Sequence, residues 1–153
     1  MKQSGFTLIE VLVVIVMVGI LSAMAMSGYK TAVLGADESL AQKEIFELAN
    51  RLEKHQSNNF SYKDFTTTTL TSPQGATGSK IKYNLYIVDG SGSNPTLTST
   101  SAIGRSYIIK AVSVNNRSYT LLYNSDGLRC KNKSSTRVNY QNCGSTLNGA
   151  EDW

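Results

Sequence analysis

The sequence predicts an α+β fold: one long N-terminal helix followed by a small antiparallel β-sheet. Three observations predict it. An almost unbroken apolar run extends from Val11 to Met26, interrupted only by Gly19 and Ser22. Beyond it, Ala41, Ile45, Leu48, Ala49 and Leu52 recur at helical spacing between charged residues. Further on, Ile81, Tyr83, Leu85 and Ile87 alternate with Lys82, Asn84 and Tyr86 at the two-residue period of a strand.

The apolar run matches the roughly 20 residues that a helix needs to cross a bilayer. Met1 to Gly5 form a short leader with one base, Lys2, and a small residue at its end. A secretory signal has a shorter apolar core and a small-residue cleavage site after it. Here the downstream small residues, Ser22, Ala23, Ala25 and Ser27, still lie within the helical pattern, so Gly5 is the alternative cut. Cleavage there removes the leader and keeps the apolar helix. Glu10 lies near the start of the run, where a carboxylate is costly and is usually paired or functional. A plain signal anchor with Glu10 among the head groups leaves this string unexplained.

Gly5-Phe6-Thr7-Leu8-Ile9-Glu10 followed by an apolar helix resembles the processing motif of type IV pilins and pseudopilins. The resemblance implies cleavage between Gly5 and Phe6 by a membrane prepilin peptidase, N-methylation of Phe6, and pairing of Glu10 with the terminal amine of a neighbouring subunit. The physics agrees: a buried carboxylate and a buried ammonium each need a partner. Two such groups on one helix can both be satisfied only by another copy or relative displaced along a fibre. The implied segments are a leader at 1–5, a membrane and fibre-core helix half at 6–29, and a globular domain at 30–153. That domain comprises an amphipathic helix half at 30–56 and a sheet with a C-terminal loop at 80–153. Many pilins carry Pro where this chain has Ser27, before Gly28 and Tyr29. Without Pro no backbone hydrogen bond is forced open, so melting of the fibre helix at this point is not implied, although Gly28 still permits it.

The chain has 153 residues, and the part beyond the apolar helix is the size of one small domain. Its formal charge is +4, and only 17% of residues are charged. Abundant Ser, Thr, Asn and Gly suit an exported surface. Cys130 and Cys143 are the only cysteines, and in an exported chain an even pair predicts a disulfide closing the C-terminal loop. Two cysteines and a distant His55 are too few for zinc.

The helix is expected to reach about Gln56, with Asn58-Asn59 ending it. Residues 57–79 read as loop, rich in turn formers around Ser72-Pro73-Gln74-Gly75. Asp89 to Pro95 is a turn-rich break; Tyr107–Val114 and Ser118–Tyr123 are strands joined by Asn115-Asn116-Arg117. Asn124-Ser125-Asp126-Gly127 turns into a short strand at Leu128–Cys130. The expected sheet is a meander with one face on the helix. The helix segment Phe46–Lys54 and the ending Tyr123–Cys130 resemble a subgroup of minor pilins of Gram-negative bacteria.

No catalytic constellation is visible and no enzyme activity, cofactor or metal site is expected. His55 reads as a surface residue, and Asp89 and Asp126 as turn formers, with a calcium role weakly supported. The Asn-x-Ser sequons at Asn59, Asn116 and Asn132 read as chance. Phe60, Tyr62 and Phe65 read as core packing under the loop, and nothing fixes the place of Trp153. Arg129, Lys131, Lys133 and Arg137 form a candidate basic patch in or beside the cysteine loop. Its candidate partners are a neighbouring subunit, an anionic surface or DNA. The expected function is that of a minor pilin serving pilus assembly, motility or adhesion. Its partners would be other major and minor pilins, the peptidase and the inner-membrane assembly machinery. It would be a single-span inner-membrane precursor before joining the surface fibre. The alternatives are a type II secretion pseudopilin and a DNA-binding or adhesive tip subunit. The expected disulfide loop favours the pilus, since many pseudopilins lack one.

Overall fold

The computed structural model describes residues 7–68 and 70–153. A single helix, α1, spans Leu8–Asn59. The chain divides into two compact units, the first ending at Gly35 and the second running Ala36–Trp153. In the first unit Thr7 caps α1: the Glu10 amide donates to Thr7 Oγ1 at 3.3 Å, one half of a capping box. Ser22 Oγ donates to the Val18 carbonyl at 2.7 Å, which satisfies that hydroxyl inside the apolar stretch. The helix runs through Ser27 and Gly28 without a break.

In the second unit Ala41, Ile45, Leu48, Ala49 and Leu52 are all buried, as their spacing predicts. They pack against Tyr83, Leu85, Tyr107, Ile109, Ala111 and Leu121 of the sheet. The opposite helix face is solvated and carries the i,i+4 pair Lys43–Glu47 at 3.6 Å. The sheet has six strands: β1 (Thr71–Ser72), β2 (Tyr83–Asp89), β3 (Tyr107–Ser113), β4 (Thr120–Asn124), β5 (Arg129–Asn132) and β6 (Glu151–Asp152). They pair antiparallel in sequence order, so the meander expected from the turns is the observed topology.

Two strands exceed the expected set. β1 lies inside the segment read as loop, and β6 near the end of the chain; at two residues each they carry no alternation to detect. The sheet is also covered on both faces. On the face away from α1, Val88, Ile108, Leu122, Cys130, Val138 and Cys143 form a second buried cluster. Tyr107-Ile108-Ile109 and Leu121-Leu122 are apolar at consecutive positions, so each strand has apolar side chains on both faces to bury.

The helix end corrects one expectation. His55 is half-buried, with Nε2 donating to the Lys63 carbonyl at 2.9 Å and the Phe65 ring edge-on at 5.5 Å. A carbonyl only accepts, so the proton is on Nε2. Of the aromatic trio, Tyr62 is buried and Phe65 packs at the core margin, but Phe60 is 89% exposed with φ +55°. Its backbone caps the helix in the left-handed region, and its ring leaves the core.

Asp89 ties the loop after β2 to the sheet. Its carboxylate accepts the Ser91 amide at 2.7 Å and the Gly104 amide at 2.5 Å, and the residue is 1% exposed. Each oxygen thus accepts a backbone N–H, which gives this carboxylate a structural role in the loop. Burial alone raises the pKa of this carboxyl; the Gly104 and Ser91 amides outweigh it and hold the group below the ordinary value of 3.8. A depressed folded value stabilises the fold above the unfolded pKa, and this contribution is lost as pH falls below it. We expect Asp89→Asn to lose roughly 2 kcal/mol near neutrality, because a charged acceptor is replaced by a neutral one. Its urea midpoint should also fall less than that of the parent between about pH 5 and pH 2. Parallel midpoint curves would contradict this role.

Candidate functional site

From Leu8 to Met26 the side chains described on α1 are exposed, Leu8 at 84% and Leu21 at 66%. The helix is long and apolar enough to cross a membrane. So much exposed aliphatic surface is unfavourable in water, at about 25 cal/mol for each Å². This segment therefore requires lipid or other apolar helices around it. Glu10 stands in the first turn, where the N–H groups of the helix start favour a negative charge. The cleavage and methylation positions, Gly5 and Phe6, lie outside the described residues.

The structure joins Cys130 to Cys143. Cys130 is on β5 and Cys143 on the returning loop, so the bond pins that loop over the outer face beside Val138. Asn132 supports it from beneath: buried, it donates through Nδ2 to the Cys143 and Asn148 carbonyls at 2.9 and 3.1 Å. This engagement removes Asn132 as an accessible sequon.

The four residues of the basic patch are placed differently from one another. The Arg129 guanidinium lies over Phe46 at 5.1 Å and Tyr123 at 5.9 Å. Lys131 reaches the helix and pairs with Glu38 at 2.8 Å, both side chains largely buried, with Glu151 at 3.9 Å. Arg137 Nη1 donates to the Asn148 carbonyl at 3.4 Å. Lys133 is exposed, its ammonium 5.1 Å from the Tyr119 ring centre. Thus Arg129 and Lys131 point to the helix side of β5 and fasten α1 to the sheet, while Lys133 and Arg137 belong to the loop. The sequence carries no signal for the Glu38–Lys131 pair, whose partners are 93 residues apart.

Around this seam the ionisable groups are shifted by their surroundings. The Glu151 carboxylate accepts the Tyr119 hydroxyl at 2.9 Å and raises its pKa. Burial, then the charge of Glu38, pushes Tyr83 up to about 12. On the other face of the sheet, away from the seam, burial lowers Lys110, whose ammonium donates to the Val138 carbonyl beside the Tyr140 ring. Trp153 is settled at the same seam: its ring is 5.5 Å from Phe46, and Nε1 donates to the Cys130 carbonyl at 2.9 Å.

Residues 1–26 match the family model of the prokaryotic N-terminal methylation motif. Over 61 residues the chain is 38% identical to type II secretion system core protein G of Pseudomonas aeruginosa, a match covering 40% of this chain and 43% of that protein. It is 39% identical to core protein G of Aeromonas hydrophila, over 40% of this chain and 43% of that protein. It is 36% identical to that of Escherichia coli K12, over 40% of this chain and 42% of that protein. The chain therefore spans less than half the length of the curated relatives it matches. No solved structure matches it significantly.

Proposed function

We propose that the chain is a member of the type IV pilin-like family and, within it, a minor pilin of a type IV pilus. The observation that carries the choice of pilus is the Cys130–Cys143 loop pinned on the outer face of the sheet. In this reading the precursor waits in the inner membrane on its apolar helix. A prepilin peptidase cuts after Gly5 and methylates Phe6. The helix then leaves lipid for a fibre core of like helices, exchanging one apolar environment for another at small net cost. Glu10 neutralises a neighbour's terminal amine, and the second unit is displayed outward.

A second reading follows from the printed names of the relatives: a pseudopilin in a type II secretion system. Mass spectrometry of the N-terminal peptide separates the two. We expect a peptide beginning with methylated Phe6 in surface fibres sheared from the native cells. The same peptide found only in membranes would favour the secretion pseudopilin. An N-terminus still at Met1 in every fraction would overturn both.

A further inference from the structure

A second surface is left over once the fold and the helix have been accounted for. A cleft of about 300 Å³ opens between the β3–β4 turn and the start of the disulfide loop. Ser118 and Thr120, both buried, line it together with Ser113, Asn116, Lys133 and Ser134, and no carboxylate is among its lining residues. The turn is held by its own bonds: the Asn115 amide donates to Ser113 Oγ at 3.0 Å and the Arg117 amide to Asn115 Oδ1 at 3.0 Å. The cleft is therefore a preformed polar wall of hydroxyl and amide groups.

Its charge is one-sided. Lys133 is on the lining, Arg117 lies between the lining residues Asn116 and Ser118, and the Lys82 carbonyl accepts the amide of lining residue Val114. All three side chains are exposed, and among the described residues none is paired with a carboxylate. Two acids at this end of the sheet are engaged, Glu38 by Lys131 and Glu151 by the Tyr119 hydroxyl and Lys131. The Glu38–Lys131 contact also fixes where the cleft lies: β5 continues from Lys131 to Asn132 and the loop at Lys133. Glu38 is among the first residues of the second unit, so the cleft is at the end of the sheet beside the start of that unit.

We propose that this cleft binds the phosphodiester headgroup of an anionic membrane lipid, with Lys133 and Arg117 on the phosphate and the Ser and Asn groups on a hydroxylated headgroup such as glycerol. A hydroxyl-lined wall with unopposed cations suits a phosphate that carries a polyol. The membrane tether supplies such headgroups at high local concentration before assembly. The inference rests on the membrane placement of the apolar helix but not on its processing or its assembly into a fibre.

The test uses the full chain in nanodiscs of phosphatidylcholine with increasing phosphatidylglycerol, read by amide hydrogen exchange. Exchange across residues 113–118 and 133–135 should slow as phosphatidylglycerol rises. Arg117→Glu and Lys133→Glu should each weaken that response about fivefold or more, the worth of one cation at an anionic surface. Lys54→Glu, on the solvated part of the helix, should leave it unchanged. Equal exchange at every composition, or an unaltered response in Lys133→Glu, would overturn the proposal. So would protection by free glycerol phosphate added to phosphatidylcholine discs without protection by phosphatidylglycerol, which would assign the cleft to a soluble phosphate. Because purified chain in discs needs no peptidase or fibre, a negative result here leaves the pilin reading standing. A Met1 N-terminus in cells would leave the lipid result standing.

Discussion

Glu10→Leu should insert in the membrane as well as the parent and yet be lost from the fibre. Leucine removes the one charge from the apolar segment, so insertion becomes more favourable. Glu10 lies outside the second unit, which should melt at the parent's temperature. In the proposed assembly, what is lost is the partner of a neighbour's buried amine. Leaving one charge of a buried pair unmatched costs about 3–5 kcal/mol. Incorporation into sheared fibres should therefore fall by two orders of magnitude or more. The comparison is quantitative immunoblotting of fibre and membrane fractions from the same cells. Glu10→Gln, which keeps the shape and loses the charge, should behave alike. If Glu10→Leu entered fibres at the parental level, the carboxylate would have no part in assembly.

Removing the disulfide should produce the largest loss of stability. The bond joins residues 13 apart in sequence, and in the loop-closure account a ring of this size is worth about 3 kcal/mol. Cys143 and Val138 also sit in the outer-face cluster with Leu122 and Ile108, so freeing the loop uncovers the far side of β3 and β4. For a unit of this size we expect Cys130→Ser with Cys143→Ser to lower the melting temperature by roughly 10 °C. Far-ultraviolet circular dichroism at low temperature should stay close to the parent's, because the helix-side core does not include the loop. A shift of only a degree or two would mean that the loop is held by packing and by Asn132 alone.

The large elements were legible because each is a repeated local pattern. The apolar run, the five buried helix positions and the strand around Tyr83–Ile87 declare their period in sequence, and Tyr107–Val114 declares itself as a β-branched apolar run bounded by turn residues. The two-residue strands β1 and β6 do not, because pairing rather than pattern makes them. The disulfide was legible from two cysteines in a chain whose N-terminal segment predicts export. The basic patch was legible as charge but not as geometry. Lys131 and Arg129 alternate with Cys130 along β5, so they face α1 while the cysteine faces away, and Glu38 and Phe46 complete sites that no local spacing shows. Likewise, nothing in the order of residues tells that Phe60 turns outward while Tyr62 turns in. That follows from the left-handed backbone at the helix end.

Trp153 is the chain's single tryptophan, and its half-buried indole contacts Phe46 of the helix, Tyr123 of β4 and the carbonyl of Cys130. Its fluorescence is therefore a built-in gauge of whether helix, sheet and disulfide strand are joined. No emission arises from the apolar segment, so detergent, lipid or fibre around that helix contributes no signal of its own. One optical trace can thus follow the integrity of the second unit in vesicles and in micelles on a common scale, without a label.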